Sequence, residues 1–293
     1  MTASAPRALF VGLCTLDVIQ SVDRVPGANE KVVARESLLA AGGPATNAAV
    51  AFAHLGGAPT LVTQLPDHPL SAVIRADLET CAVPLAADDE GAGPPVTASI
   101  MVTRGTGERA VVSPSSGATA LEDAAAPVPP LDEVRAVLVD GYHPARAIAT
   151  AKAARASGIP VLMDAGSVKP HTPDVVREVD VVIASADLAT PDGSREPDDV
   201  VAWLATLGVE RTVITRGADD VVWRTPGATG SVKIDPVEVV DTLGAGDFFH
   251  GALVWRVATL GLDDTRLAED IAWAARAVAP SLGSFGTRAW LHR

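Results

Sequence analysis

The sequence predicts an α/β fold, a mostly parallel sheet with helices on both faces, and three observations predict it. Short apolar runs bounded by turn residues alternate with alanine-rich, helix-like stretches over most of the 293 residues. Several of these runs, Val181-Val182-Ile183 among them, are continuous and β-branched, as strands covered on both faces are. The composition, 48% hydrophobic and 20% charged, is that of a globular chain able to bury a large core.

In chain order, a first strand is expected at 8–14. The apolar run around it spans 8–16 and stops at Asp17 with no Ala-x-Ala site after it, so it reads as a buried strand and not as a leader. A helix at 45–55, a strand at 59–63 and a helix at 70–79 follow. Strands at 136–140, 160–164, 180–184 and 211–215 then alternate with helices at 145–156 and 198–207. Two helices, 247–260 and 267–279, close the chain. The stretches 18–39 and 96–113 break the rhythm with strand-like alternation. Thr103 to Arg109 reads as a hairpin turn between strands, so the two stretches are expected to form a small separate sheet. The Pro/Ala segment 124–130 reads as a surface linker.

Twenty-three Lys and Arg against 36 Asp and Glu leave a net charge of −13, which repels polyphosphate backbones and anionic membranes. Neither nucleic acid nor a membrane is an expected partner. No run reaches the roughly 18 apolar residues that a membrane span needs. Cys14 and Cys81 are too few for a disulfide scaffold or a four-ligand zinc site, and read as reduced thiols of a cytoplasmic protein.

The densest chemical signal is Val239-Val240-Asp241-Thr242-Leu243-Gly244-Ala245-Gly246-Asp247-Phe248-Phe249-His250-Gly251. A short β run meets a Gly-Ala-Gly turn, and an apolar helix starts at Asp247. The unpaired N–H groups of a first helical turn attract anions. A carboxylate in that turn would repel one, unless it serves to take a proton while the amides of Gly244, Ala245 and Gly246 stabilise a transferring phosphoryl group. The plainer reading is that Asp247 caps its helix and the glycines only turn the chain. The dinucleotide pattern Gly-x-Gly-x-x-Gly is not met, and no Gly-x4-Gly-Lys-Ser/Thr loop exists.

Asp241 to Asp247 resembles the C-terminal signature of the ribokinase-like (PfkB) carbohydrate kinases. Gly42-Gly43-Pro44-Ala45-Thr46-Asn47-Ala48-Ala49 is similar to their N-terminal double-glycine motif, about 200 residues earlier, as in that family. The resemblance implies an ATP- and Mg²⁺-dependent sugar kinase with a Rossmann-like three-layer α/β/α core and a β-sheet lid, one kinase domain over 1–293. Carried over by position, Asp247 is the base and Gly244 to Gly246 the anion hole. Asp17, Gly42, Gly43 and Asn47 are substrate contacts, and Thr215, Arg216, Gly217, Thr242 and Gly283 lie on the nucleotide side. The tail 279–286 resembles a loop that contacts adenine and, in some members, a monovalent cation, so potassium is carried as an expectation. Lid strands often pair between subunits in this family, which implies a homodimer.

Lys31, Val33 and Arg35 share one face if 31–35 is a strand. Lys31 then either covers a polar or anionic substrate group or, as Arg35 does, lines a solvated edge. His143, at the end of a parallel strand, is a pocket-wall residue or a structural histidine. His250 is a packing residue or a neighbour of the substrate.

Two departures stand out. The family's Asn-x-x-Glu is replaced by Ser185-Ala186-Asp187-Leu188, which leaves the magnesium ligands unassigned, with Asp187 the local carboxylate. In Thr215-Arg216-Gly217-Ala218-Asp219-Asp220, Asp220 stands for the final glycine of Thr-x-Gly-x-x-Gly, and a left-handed Asp would keep the turn. Such departures, with Gly246-Asp247-Phe248-Phe249-His250-Gly251, are similar to the ketohexokinase-like and sulfofructose-kinase-like branches, although Gly141 stands where a sulfonate-binding Arg is expected. A ketose or related furanose is the expected acceptor. A nucleoside kinase of the same family is the first alternative, disfavoured by one tyrosine and five phenylalanines. A catalytically silent sugar or nucleotide sensor is the second.

Overall fold

The computed structural model describes residues 4–88, 93–114 and 127–292. Its strands are β1 (Arg7–Val11), β2 (Thr15–Val22), β3 (Glu36–Gly42), β4 (Ala58–Gln64), β5 (Leu85–Asp88), β6 (Thr97–Thr103), β7 (Arg109–Val112), β8 (Val134–Val139), β9 (Val161–Ala165), β10 (Val181–Ser185), β11 (Arg211–Arg216), β12 (Asp219–Arg224) and β13 (Thr229–Val232). Its helices are α1 (Pro44–His54), α2 (Ser71–Thr80), α3 (Pro144–Ala156), α4 (Thr172–Val176), α5 (Pro197–Thr206), α6 (Ala245–Leu260) and α7 (Leu267–Val278).

Nine strands form one sheet in the order β13-β12-β11-β10-β9-β8-β1-β4-β5, parallel from β5 to β11. Alternation along the strands covers both faces. Ala8, Phe10, Ala136 and Leu138 join the core that holds Phe52 and Phe248, while Leu9, Val11, Val137 and Val139 join the core under α3 and α5. This is the three-layer α/β/α arrangement that the sequence leads one to expect. All the parallel strands point their carboxyl ends to one edge, where α/β sheets place ligands.

The second sheet, β3-β2-β6-β7, is the small sheet expected from 18–39 and 96–113, and β6 and β7 meet in the expected hairpin. Its packed face carries Ile19, Ala40, Ala98, Ile100 and Val102, against Leu243 and Phe285 of the main body.

Several local expectations are corrected. The first strand stops at Val11, because a Cβ on Gly12 would sit 2.1 Å from the Asp140 carboxylate and the chain turns there into β2. Residues 31–34 are a loop, so Lys31 and Arg35 share no strand face. Arg35 donates from Nε and Nη2 to Asp23 at 3.1 and 2.6 Å, a surface ion pair. Val239 and Val240 are not a strand. Their segment is docked instead on the tail, with Val240 N–H donating to the Leu282 carbonyl at 2.7 Å. The antiparallel pair β12 and β13, strand β5 and the short helix α4 were not expected. Residues 124–126 of the linker fall outside the described residues, and 127–130 are irregular.

Candidate active site

The floor is built from β2, β3 and the start of α1. Asp17 lies in β2 between Ala40 of β3 and Ala98 of β6, only 5% exposed. Burial pushes its carboxyl up, opposed by a hydrogen bond that Thr15 donates from Oγ1 at 2.6 Å. Gly42 makes room for it, since a Cβ there would lie 1.9 Å from Asp17 Oδ2. Gly43 caps α1 with φ at 99°, and a Cβ would come 2.3 Å from the Leu13 carbonyl. The double glycine is thus required by two close approaches.

Asn47 follows one turn into α1 and donates from Nδ2 to Asp247 Oδ2 at 2.9 Å. Behind it, buried Arg288 donates to the Ala41 carbonyl at 2.6 Å and to Asp77 at 2.9 Å, and reaches Asn47 Oδ1 at 3.5 Å. Floor and Asp247 therefore share one hydrogen-bonded frame.

Asp247 sits in the first turn of α6, entered through Gly244 with φ at 75°. Asp247 is half-buried. The Ala245 amide turns back to the Thr242 carbonyl at 3.3 Å, so Gly244 and Gly246 are the better anion donors of the three expected. A Cβ on Gly246 would meet nothing within 4 Å, which leaves its amide face clear. Burial first, and then the negative charge of Asp164, raise Asp247 to about 7, opposed by Asn47, His250 and Arg109.

Asp164 closes β9, and its Oδ2 is 2.8 Å from His250 Nδ1. Asp164, Asp247 and His250 each bring one ligand-type atom within 4.8 Å of the others. The donor set does not fit magnesium, which takes oxygen ligands, because one member is an imidazole already engaged with Asp164.

The far wall follows β8. Asp140 accepts from the amides of Leu13, Tyr142 and Ala45 at 2.8, 3.0 and 3.3 Å, and burial holds it at about 6. Lys169 carries its ammonium 4.0 Å from the Tyr142 ring centre, close to Asp140 and Asp164, and burial lowers its proton affinity. His143 caps α3 beside them. Lys31 lies apart from this group, exposed on the loop between β2 and β3.

Among the residues expected on the nucleotide side, Thr215 Oγ1 donates to the Ala184 carbonyl at 3.3 Å, and Gly217 turns the β11–β12 connection with φ at 63°. Arg216 donates from Nε to the Asp220 carbonyl at 2.9 Å, which ties that turn. Asp220 lies in β12 and is not left-handed, so the turn survives through Gly217 instead. Thr242 donates to the Gly107 carbonyl at 2.9 Å and receives Arg109 at 3.3 Å, linking the β6–β7 hairpin to the loop before α6. Gly283 ends the short helical turn Ala279–Gly283.

Sequence reasoning missed Gly12, Asp140, Asp164, Lys169, Tyr142, Arg109 and Arg288. Asp140 and Asp164 end parallel strands, and that position was a usable signal. Arg288 gave none.

Residues 5–289 match the model of the pfkB family carbohydrate kinases. Ribokinase of Bacillus subtilis (strain 168) is 25% identical over 293 residues, covering 95% of this chain and 93% of that protein. Fructokinase of Solanum tuberosum is 27% identical over 250 residues, covering 80% and 75%. The structure of Arabidopsis thaliana ribokinase, solved with ribose and ATP, superposes with a TM-score of 0.75 at 23% identity over 96% of this chain and 94% of that one.

Proposed function

Since the chain belongs to the pfkB family of carbohydrate kinases, and is a phosphotransferase, we propose that it transfers the γ-phosphoryl group of ATP to a primary alcohol of a ketose or related furanose sugar. The observation that carries this reading is Asp247, held by Asn47 at 2.9 Å beside the first amides of α6. Asp247 takes the proton of the sugar hydroxyl as that oxygen attacks the γ-phosphorus in line. The amides of Gly244 and Gly246 offset the charge on the phosphoryl oxygens. Asp17 accepts hydrogen bonds from neighbouring hydroxyls, and Gly42 and Gly43 let the ring approach the backbone.

ATP lies along Thr215, Gly217, Thr242 and Gly283. Arg216, its Nε spent on the turn, offers its remaining N–H groups to phosphate. Asp187, an exposed carboxylate at the end of β10, would hold a Mg²⁺ bound mostly by phosphate and water, and the ion would supply neutralisation of phosphate charge there. The potassium ion expected at the tail would lie beside Asp241, a buried acid that accepts amides from Leu243 and Gly286 at 2.8 Å each. The small sheet acts as the lid, with its hairpin already touching Thr242, and closure excludes water. Leu39 and Val112, 49 and 67% exposed and set by register on the outer face of that sheet, are the face through which two lids would pair in a homodimer. The enzyme works in the cytoplasm, where ATP is.

A nucleoside acceptor is disfavoured because Lys169 lies over the Tyr142 ring that would stack a base. A silent sensor would not require the built environment of Asp247. The relatives are named for ribose and fructose, and a sulfonated sugar is set aside for want of the Arg at position 141.

The test is a coupled ADP-release screen over ketoses, pentoses, sulfosugars and nucleosides. Turnover with a neutral sugar supports the reading. Turnover confined to nucleosides, or melting shifts with sugars but no ADP release from any compound, would overturn it.

A further inference from the structure

His250 lies three residues beyond Asp247 on α6, so the two share one helix face. His250 and Asp164 are 4 and 6% exposed and joined at 2.8 Å. The other imidazole nitrogen, Nε2, is buried with no hydrogen-bond partner among the described residues, so the carboxylates are what oppose burial in setting the charge of the ring. Two carboxylates within 4.8 Å of each other repel strongly when both are ionised in a buried setting. A proton on one acid or a cation between them relieves that, and only the cation leaves Asp247 ionised.

The groups that face this cluster are few. Asp247 comes from α6 and Asp164 from β9. Asp140 and Tyr142 come from the end of β8, and Lys169 from the loop after β9, where its charge falls on Asp140 and Asp164. The small sheet contributes exposed Arg109, whose charge solvent screens. From α1 comes neutral Asn47, and the charged side chain of α7 nearest the core, Asp270, is paired with Arg256 at 2.7 Å. His250 is thus the buried basic group in direct reach of both acids.

We propose that His250, gripped by Asp164, is a positioning residue that acts as the counter-charge of Asp247 and keeps that carboxylate free to accept the substrate proton at neutral pH. Electrostatics agree with the geometry. Burial alone would lower the proton affinity of the imidazole, yet the hydrogen bond and charge of Asp164 with the charge of Asp247 outweigh it and leave it raised. His250 in turn draws Asp247 down against burial and Asp164. The proposal rests on the reading of Asp247 as the base.

The test is the pH profile of kcat/KM for His250→Asn, Asp164→Asn and the double variant. Removing the cation raises the affinity of Asp247 for its proton, so the acid limb moves to higher pH in His250→Asn, by about one unit. Asp164→Asn removes the repelling acid together with the grip that charges the ring, so its limb moves less, and in the double variant, which has neither charge, the limb returns toward that of the wild type. A purely structural role would lower activity in His250→Asn with the limb in place, or displace the limb equally in the double variant, and either outcome overturns the proposal.

Should the variants fail to fold, an NMR titration of the wild-type imidazole decides. An imidazolium at pH 7 that loses its proton at lower pH in Asp247→Asn is the expected result. A neutral ring at pH 7 overturns the proposal alone, whereas full turnover by Asp247→Asn overturns the base assignment and the proposal with it.

Discussion

Asn47 Nδ2 donates to Asp247 Oδ2 at 2.9 Å across 200 positions of sequence, joining the two glycine-rich signatures through one hydrogen bond. The bond favours the ionised carboxylate and fixes where its free oxygen points.

Asn47→Ala should therefore lower kcat about tenfold and move the acid limb of the pH profile upward, since one stabilising donor is lost. Asn47→Asp should do worse, because it sets another like charge against Asp247. Steady-state kinetics over pH 5 to 9 check this. Unchanged kcat and limb in Asn47→Ala would mean that the bond plays no part in turnover.

Gly42→Ala places a methyl where the Asp17 carboxylate lies, 1.9 Å from Oδ2, so the acid must turn away. The sugar KM should rise at least about tenfold while the ATP KM stays the same, the pattern of lost acceptor binding. Kinetics with each substrate varied in turn separate the two. A rise confined to ATP would put Asp17 on the wrong side of the reaction.

Gly251→Ala would bring a Cβ within 2.1 Å of the Ala48 carbonyl, where α1 packs directly on α6. These helices carry Asn47 on one side and Asp247 with His250 on the other, so forcing them apart acts on stability and turnover together. We expect a loss of about 1–3 kcal/mol in urea unfolding and a fall in kcat larger than the unfolded fraction explains. A variant as stable as the wild type would show that the helices can shift at no cost.

Much of this frame is legible in the letters. The β-branched runs identify a two-sided parallel sheet, and Gly42-Gly43 and Gly244-Ala245-Gly246-Asp247 identify the two strand-to-helix corners that meet. Lys31-Val32-Val33-Ala34-Arg35 misleads because alternation alone cannot tell an edge strand from a loop, and here the ladder resumes only at Glu36. Val239-Val240 misleads likewise, since its amide partner is the Leu282 carbonyl of a tail and not a strand. Asp140 and Asp164 are marked only by their place at the ends of parallel strands, and nothing local marks Lys169 or Arg288. They become neighbours through strand order and through a C-terminal tail that folds back under Asn47.

Stability should depend on pH through the same acids. Asp140 and Asp247 bind protons more tightly folded than unfolded, at about 6 and about 7. Their protonated forms therefore favour the fold at acid pH, and that contribution is lost as pH rises from about 4 to 7. Asp247→Asn removes one buried charge and should melt higher than the wild type at pH 8, by about 2 kcal/mol after allowing for solvent at the cleft. The gap should close toward pH 5. Calorimetry at both pH values checks it, and a gap that widens on acidification would contradict the sign.

The most direct measurement is the turnover of Asp247→Asn alongside its sugar affinity, the first by ADP release and the second by titration calorimetry. Loss of a general base that leaves the pocket shape intact predicts kcat lower by about 10²- to 10⁴-fold with sugar affinity nearly unchanged. A kcat close to that of the wild type would show that some other group takes the proton.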